Sequence, residues 1–143
     1  MIIKIFILLA FVLIQSCGVF NRVPSSQSNA CDILSHKSSW KRAVNKTSKK
    51  WGVSPSLQLA FIKTESNFRA RAKTPRKFFL GIIPNGRISS AYGYAQALNG
   101  TWDWYKKDTG NRSASRTNFY DSTDFIGWYV TQTNKKLKIA KSN

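Results

Sequence analysis

Acidic residues are scarce in this chain. Six of its 143 residues are Asp or Glu, against 23 Lys or Arg, and the formal net charge is +17 at pH 7. The six are Asp32, Glu65, Asp103, Asp108, Asp121 and Asp124, so Glu65 is the sole glutamate. Histidine occurs once, as His36, and cysteine twice, as Cys17 and Cys31. These scarcities exclude whole chemistries. A zinc site built on two or three histidines cannot be assembled from one. A Ser–His–Asp triad would depend wholly on His36. No metal or organic cofactor is implied. What is abundant excludes other classes. Hydrophobic residues at 42% and aromatics at 13% rule out a disordered polar tail. The length suits one ordinary domain and leaves no room for a second core. The positive excess calls for an anionic partner: nucleic acid, an anionic membrane surface, or an acidic polymer such as a cell-wall glycan.

Residues 1–16 read as a signal peptide. Lys4 precedes a ten-residue apolar run, Ile5 to Ile14. That run is shorter than the ~20 residues a membrane-spanning helix needs and matches the length of a signal-peptide core. It ends at Ile14-Gln15-Ser16-Cys17, which resembles the bacterial lipobox. The resemblance implies lipidation of Cys17 and a membrane anchor. The alternatives are an unmodified thiol and a Cys17–Cys31 disulfide. With Cys17 lipidated, Cys31 is an odd cysteine, expected to be buried. Residues 17–30, which include Val23-Pro24-Ser25-Ser26-Gln27-Ser28-Asn29, read as a flexible tether. Residues 31–143 then form the folded domain, without internal repeats. The localisation this implies is an exported, periplasmic, lipid-anchored protein of the bacterial cell envelope.

Helical spacing dominates the domain. Trp40, Ala43, Val44, Thr47 and Trp51 recur at steps of three and four, with lysines on the other faces and Gly52 beyond the end. Ser54 can cap a second helix that has Pro55 in its first position. There Leu57, Ala60, Phe61 and Thr64 predict a buried stripe. Glu65 falls about 80° round from Leu57, at the stripe's edge and near the helix's C-terminal end. The stretch 69–90 breaks the pattern. Phe78 to Ile83 form a short apolar run, and Pro84-Asn85-Gly86 follows as a tight-turn signal, so a small hairpin is expected. Thr101 is expected to cap a helix from Trp102 to about Asp108. Asp121, with Asp124 three residues on, is expected to cap the last helix, whose stripe is Ile126, Tyr129, Val130, Thr133 and Leu137. The fold class is mainly α, one domain with at most a small β-hairpin in the middle.

A lone glutamate at a stripe's edge reads either as a solvated surface carboxylate or as a general acid. Partial burial and the negative end of a helix dipole both keep a carboxyl group protonated to higher pH. A protonated carboxyl can donate to a leaving oxygen, as glycosidic cleavage requires. The motifs around it add more. Thr64-Glu65-Ser66-Asn67-Phe68 is followed by Ser90-Ala91-Tyr92-Gly93-Tyr94-Ala95-Gln96, then a helix, then a late aromatic helix with Trp128-Tyr129. This order and spacing resemble the soluble-lytic-transglycosylase family, the SLT domain of the goose-type lysozyme-like superfamily. In that family a helix ends in Glu-Ser, a Gly-x-x-Gln segment opens the far wall of the groove, and a tyrosine-bearing helix backs the glutamate. Glu65-Ser66 and Gly93-Tyr94-Ala95-Gln96 match the first two. Tyr129 is the candidate for the third, with Tyr120 as its alternative. The resemblance covers about Lys49 to Ile139. Two departures stand out: the stretch from Arg69 to Ala91 is longer than in many members, and Tyr94-Ala95 stands where many have Leu-Met.

The resemblance implies a lysozyme-like fold and cleavage of the β-1,4 bond between N-acetylmuramic acid and N-acetylglucosamine in peptidoglycan, with 1,6-anhydromuramic products. It implies Glu65 as the catalytic residue and Ser66, Tyr92, Gly93, Tyr94, Gln96 and Tyr129 as substrate-binding residues. On the residues alone Ser66 can equally cap the helix end, Gln96 can be a solvated polar group, and Tyr129 can be core packing. Trp102 and Tyr105, three apart on a helix, read as buried. A cell-envelope assembly partner is compatible with the same reading. Two rivals belong to other classes. One is a non-enzymatic basic binder of peptidoglycan or nucleic acid; nucleic acid is disfavoured because no helix-turn-helix, zinc or RNA-binding signature is present. The other is a hydrolytic lysozyme, which needs a second carboxylate to guide water.

Overall fold

The computed structural model describes residues 23–137. The expected signal peptide and Cys17 lie outside them. In chain order the elements are α1 (Ala30–Ser35), α2 (Ser38–Trp51), α3 (Pro55–Ser66), β1 (Arg76–Phe79), β2 (Ile83–Arg87), α4 (Asn99–Thr109) and α5 (Phe119–Lys136). The architecture is the expected one, mainly α with a small hairpin in mid-chain. No helix among the described residues is long and apolar enough to cross a membrane.

The pairing of α2 with α5 is the centre of the fold. Trp40, Ala43, Val44 and Thr47 of α2 are buried, as the spacing predicts, and Gly52 closes the helix. Gly127 lets α5 approach. A Cβ there would fall 2.5 Å from Trp51 Cδ1 and 2.8 Å from Thr47 Cγ2, both far inside ordinary contact distance. One turn away the Asp124 carboxylate accepts from Lys50 Nζ at 2.9 Å, Trp51 Nε1 at 2.8 Å and Tyr105 Oη at 2.8 Å. One side chain thereby joins α2, α4 and α5.

Asp124 therefore does not take part in the cap expected at the start of α5. Asn118 is the cap, accepting from the backbone N–H of Tyr120 at 2.8 Å and of Asp121 at 3.4 Å. The helix starts two residues before Asp121, so that side chain lies in the first turn and accepts from Ser115 N at 2.9 Å. A similar shift occurs in α4, which begins at Asn99 rather than after Thr101. Ser90 Oγ accepts from Asn99 N at 3.1 Å, so a side chain from a distant loop satisfies that free N–H.

The stripes of α3 and α5 are rotated from their expected faces. In α3 the buried residues are Gln58, Leu59, Ile62 and Ser66, while Leu57 is 46% exposed. The cause is a polar residue turned inward: the Gln58 amide donates to Val44 O at 3.1 Å and Val53 O at 2.9 Å. Hydropathy alone hides such a residue. In α5 burial covers Phe125, Ile126, Gly127, Trp128 and Thr131, and leaves Tyr129 and Leu137 exposed.

Two aromatic groups fill the interior. Trp40 stacks on Phe119 with ring centroids 4.1 Å apart, lies against Phe68 at 5.5 Å, and meets Tyr94 edge-on at 6.0 Å. Trp102, Tyr105, Phe125 and Trp128 form the second group between α4 and α5. Trp102 and Tyr105 are buried, as expected.

Residues 23–29, expected as the end of a tether, lie on the domain. Pro24 is buried, Val23 packs on the core, and Gln27 O accepts from Lys63 Nζ at 2.9 Å. Ser26 and Ser28 each donate to Asp32 Oδ2 at 2.6 Å. Cys31, expected to be buried, is exposed, because α1 is one short turn with Ile33 as its buried residue.

The hairpin pairs Phe78 with Pro84 and Phe79 with Ile83. Its turn is not at Asn85-Gly86. It lies at Leu80-Gly81, both with positive φ (51° and 74°), closed by Ile82 N donating to Phe79 O at 3.2 Å. Asn85-Gly86 sits inside β2, opposite the register shift between Arg76 and Phe78, where the extra residue of a bulge is accommodated.

Two stability outcomes follow. Gly127→Ala gains helix propensity of roughly 1 kcal/mol but drives a methyl into Trp51 and Thr47. We expect a net loss of about 1–3 kcal/mol, read as a lower urea midpoint with an unchanged m-value. Burial first, and then the hydrogen bond to Asp124, push the Tyr105 hydroxyl's ionisation above its ordinary value of 10.0. The folded chain then keeps this proton where the unfolded chain loses it. The stabilisation is complete below pH 10 and declines as pH rises above it. Tyr105→Phe is expected to be less stable at pH 7 by about 1.5 kcal/mol and to lose stability less steeply above pH 10 in denaturant titrations.

Candidate active site

Glu65 is the penultimate residue of α3. It is exposed at the edge of the buried stripe: with Gln58, Leu59, Ile62 and Ser66 turned inward, Glu65 falls about 20° outside Gln58 at ~100° per residue. Among the described residues it makes no hydrogen bond and no ion pair. Every aspartate, by contrast, is engaged. Asp32 takes Ser26 and Ser28; Asp103 pairs with Lys106 at 2.9 Å; Asp108 accepts from Trp128 Nε1 at 2.6 Å; Asp121 holds Ser115 N and Asp124 joins three helices. Glu65 is thus the carboxylate among the described residues with neither a hydrogen bond nor an ion pair.

The chain turns sharply just after it. Asn67 and Phe68 are both left-handed, with φ of 49° and 59°. For a bulky residue this costs about 1–2 kcal/mol. The cost is offset by Phe68, which is 1% exposed and lies flat against Trp40. Ser66 is buried, and its hydroxyl donates back to Ile62 O at 3.1 Å. Arg69 closes the turn, with its backbone N–H and Nε both donating to Ser66 O, at 3.1 and 3.0 Å. The helix end carrying Glu65 is therefore fixed by backbone and side-chain bonds.

From this turn the chain leads to the second motif. Gly93 N donates to Ala72 O at 3.0 Å, and Gln96 Nε2 donates to Ala72 O at 3.0 Å and to Gly93 O at 2.9 Å. Gln96 is itself left-handed, φ 46°. Its amide N–H groups bind its own loop, and its side chain is half-buried. Gly93 has φ 81°, and a Cβ there would lie 2.0 Å from Arg116 O. Arg116 is the residue sequence reasoning missed. Its carbonyl accepts from Tyr94 N at 3.1 Å, and its guanidinium donates to Ala97 O at 2.8 Å and Asn99 Oδ1 at 2.9 Å. No motif marks it, since it lies in a Ser-, Thr- and Asn-rich loop.

The remaining candidates divide. Tyr92 is half-buried, its ring faced by Lys73 Nζ at 5.3 Å and Arg116 Cζ at 5.4 Å. It borders an open cleft of about 480 Å³ lined also by Asn99, Trp102, Asp103, Lys106 and Arg116. Tyr94, expected to face a groove, is 4% exposed and belongs to the Trp40 group, because Gly93 turns the following side chain inward. Tyr129 is 39% exposed and stacks on Phe125 at 5.7 Å. Tyr120 lies under Lys46 Nζ at 5.7 Å. Among the described residues neither tyrosine donates to Glu65, and no three His, Cys, Asp or Glu side chains gather to hold a metal.

Gly93→Ala is expected to cost about 3 kcal/mol or more, from the left-handed backbone and the collision with Arg116 O. Gly100→Ala, which meets nothing within 4 Å, is the control and should hold or raise the thermal midpoint.

Comparison with curated proteins and with solved structures gives no match. A family model does match, over residues 5–143, and its description is a transglycosylase SLT domain. That span takes in the helix ending in Glu65-Ser66, the Gly93–Gln96 turn and the aromatic helix α5, and by it the chain belongs to the SLT-domain family of lytic transglycosylases, which act on the peptidoglycan of the cell envelope.

Proposed function

We propose that the chain cleaves the β-1,4 bond between N-acetylmuramic acid and N-acetylglucosamine, with Glu65 as general acid and then general base, and releases 1,6-anhydromuramic ends. The supporting observation is that Glu65 is unpartnered while all five aspartates have structural partners. Such a site has one working carboxylate. Hydrolysis would need a second carboxylate to guide water; the aspartate on the Tyr92 cleft, Asp103, is exposed and paired with Lys106 at 2.9 Å.

The chemistry closes with one carboxyl. The Glu65 carboxyl gives its proton to the glycosidic oxygen as the C1–O4 bond breaks. The substrate's own acetamido oxygen bonds to C1 and takes up the positive charge, in the manner of substrate-assisted glycosidases. The Glu65 carboxylate then accepts the proton of the C6 hydroxyl while O6 attacks C1 and displaces the acetamido oxygen. Glu65 ends protonated, and no water is consumed. In the free chain Glu65 faces solvent, and a bound glycan would exclude water from it.

In this reading Tyr92 offers its ring to a sugar face. The Gln96 side-chain oxygen accepts from sugar or acetamido N–H groups, and Gly93 lets the loop approach Arg116. Tyr129 orients Glu65 once substrate is bound. Ser66, buried and bonded back to Ile62 O, holds the helix end that carries Glu65. Residues 1–16 export the chain, and Cys17 carries the lipid that keeps it at a membrane.

The test is digestion of purified peptidoglycan with mass spectrometry of released muropeptides. The native chain should release 1,6-anhydro ends. Glu65→Gln should lower release by roughly 10²–10⁴-fold while its unfolding midpoint stays put, because the side chain is exposed and unpaired. Reducing ends instead would move the protein to the hydrolases. Wall binding without release by either form would make it a binding module.

A further inference from the structure

The hairpin is the part of the domain that the catalytic reading does not use. Every residue of β1 and β2 is exposed. At its tip Phe78, Phe79, Leu80, Ile82 and Ile83 are 52–80% exposed, and Ile88 at its base is 60% exposed. An apolar cluster this continuous on an otherwise basic surface marks a contact site. The turn makes the same point. Leu80 has φ 51°, at a turn position that Asn, Asp or Gly fill at lower cost. Leu80 neither suits the turn nor packs in the core, so its side chain serves something outside the molecule.

The charge around the tip narrows the occupant. From Ser66 to Trp102 the chain has no acidic residue, while Arg69, Arg71, Lys73, Arg76, Lys77 and Arg87 are all exposed. Between Phe78 and Ile83 no side chain can donate or accept a hydrogen bond, which argues against a sugar as the tip's ligand. A second copy of this face would bring like charges together. An apolar wedge with cations at its base matches a bilayer surface of anionic lipid: the side chains of the wedge enter the acyl boundary and the cations meet headgroup phosphates, their stems lying along the apolar interface.

We infer that the Arg76–Arg87 hairpin is a membrane-docking wedge, which inserts Phe79, Leu80 and Ile82 into the surface of an anionic phospholipid bilayer and holds headgroup phosphates with Arg76 and Lys77. This contact is separate from any lipid at Cys17 and from the chemistry at Glu65.

The test uses the full chain with Cys17→Ser and Cys31→Ser, so that a single dye can be attached. An environment-sensitive fluorophore goes on Leu80→Cys, or on Ser113→Cys as an exposed control away from the hairpin. Vesicles of phosphatidylcholine with phosphatidylglycerol should shift the Leu80 dye to the blue and expose it to quenching by brominated acyl chains, and leave the Ser113 dye aqueous. Arg76→Gln and Lys77→Gln should each lower the inserted population's equilibrium by about five-fold. If the residue 1–22 segment carries the chain onto vesicles while the Leu80 dye stays aqueous, the inference is overturned. Equal insertion into neutral vesicles overturns the anionic-lipid part. Shielding of the dye that grows with protein concentration but not with lipid overturns it in favour of self-association.

Discussion

The Asp124 carboxylate holds the domain's three main helices in one arrangement. Its three donors come from the C-terminal turn of α2 and from the middle of α4. Two of them lie more than seventy residues away in sequence. The bond geometry requires α2 and α5 to meet closely, and Gly127 permits it. Once that crossing is set, the start of α2 is set too, and Trp40 there organises Phe68, Tyr94 and Phe119. Phe68 follows Glu65 by three residues and Tyr94 sits inside the second motif. The site is thus built outward from a helix crossing whose polar centre is a single aspartate.

The scarcity of acid has a consequence for function. In a chain of net charge +17, a carboxylate is easily taken by a nearby cation or N–H donor. Five of the six are so taken, each by a structural partner. Glu65 avoids this because it ends a helix and projects from a turn whose donors are used elsewhere: Arg69, the nearest cation in the following chain, is committed to Ser66 O. In the proposed reaction that free carboxylate is the working group. The backbone strain at Asn67, Phe68 and Gln96 points the same way, since residues in sparsely populated conformations gather where a site needs a fixed shape.

How far the sequence disclosed this differs from element to element. The stripe of α2 was legible because its charged and apolar residues are cleanly separated. The face of α3 was not, because its core contains Gln58, whose side-chain NH2 donates to carbonyls of α2 and the following loop, and hydropathy counts it as surface. Caps were misassigned at α4 and α5 because Asn, Asp, Ser and Thr are common in both loops. The choice among them depends on where the chain enters the helix, and at α4 on a hydroxyl from Ser90. Asn85-Gly86 looked like the turn, yet Leu80-Gly81 forms it, since pairing Phe79 with Ile83 keeps the strands in register and leaves Asn85-Gly86 as a bulge. The two short motifs were legible as a pair in order. Arg116, which holds the second motif, was not, for it touches both Gly93 and the Ala97–Asn99 segment from a loop with no pattern of its own.

The position of the hairpin in the chain ties it to the site. It is inserted between the two motifs, and its stem continues into the bonds that fix the second one. Thr74 Oγ1 donates to Ser89 O at 2.9 Å, Lys73 bridges to Tyr92, and Ala72 O accepts from both Gly93 and Gln96. These are successive rungs between the same two chain segments. A load applied at the tip reaches Thr74 and Ser89 first, then Lys73 and Tyr92, then the carbonyl that pins Gln96. The Gly93–Gln96 segment is therefore anchored on one side by Arg116, in the loop between α4 and α5, and on the other by a ladder that ends in exposed apolar residues. The helical body sets the position of Glu65, and the ladder sets that of Tyr92 and Gln96. The segment that carries Glu65 and the segment that carries Tyr92 and Gln96 thus depend on different parts of the fold, and a contact at the hairpin would bear on the second while leaving the first in place.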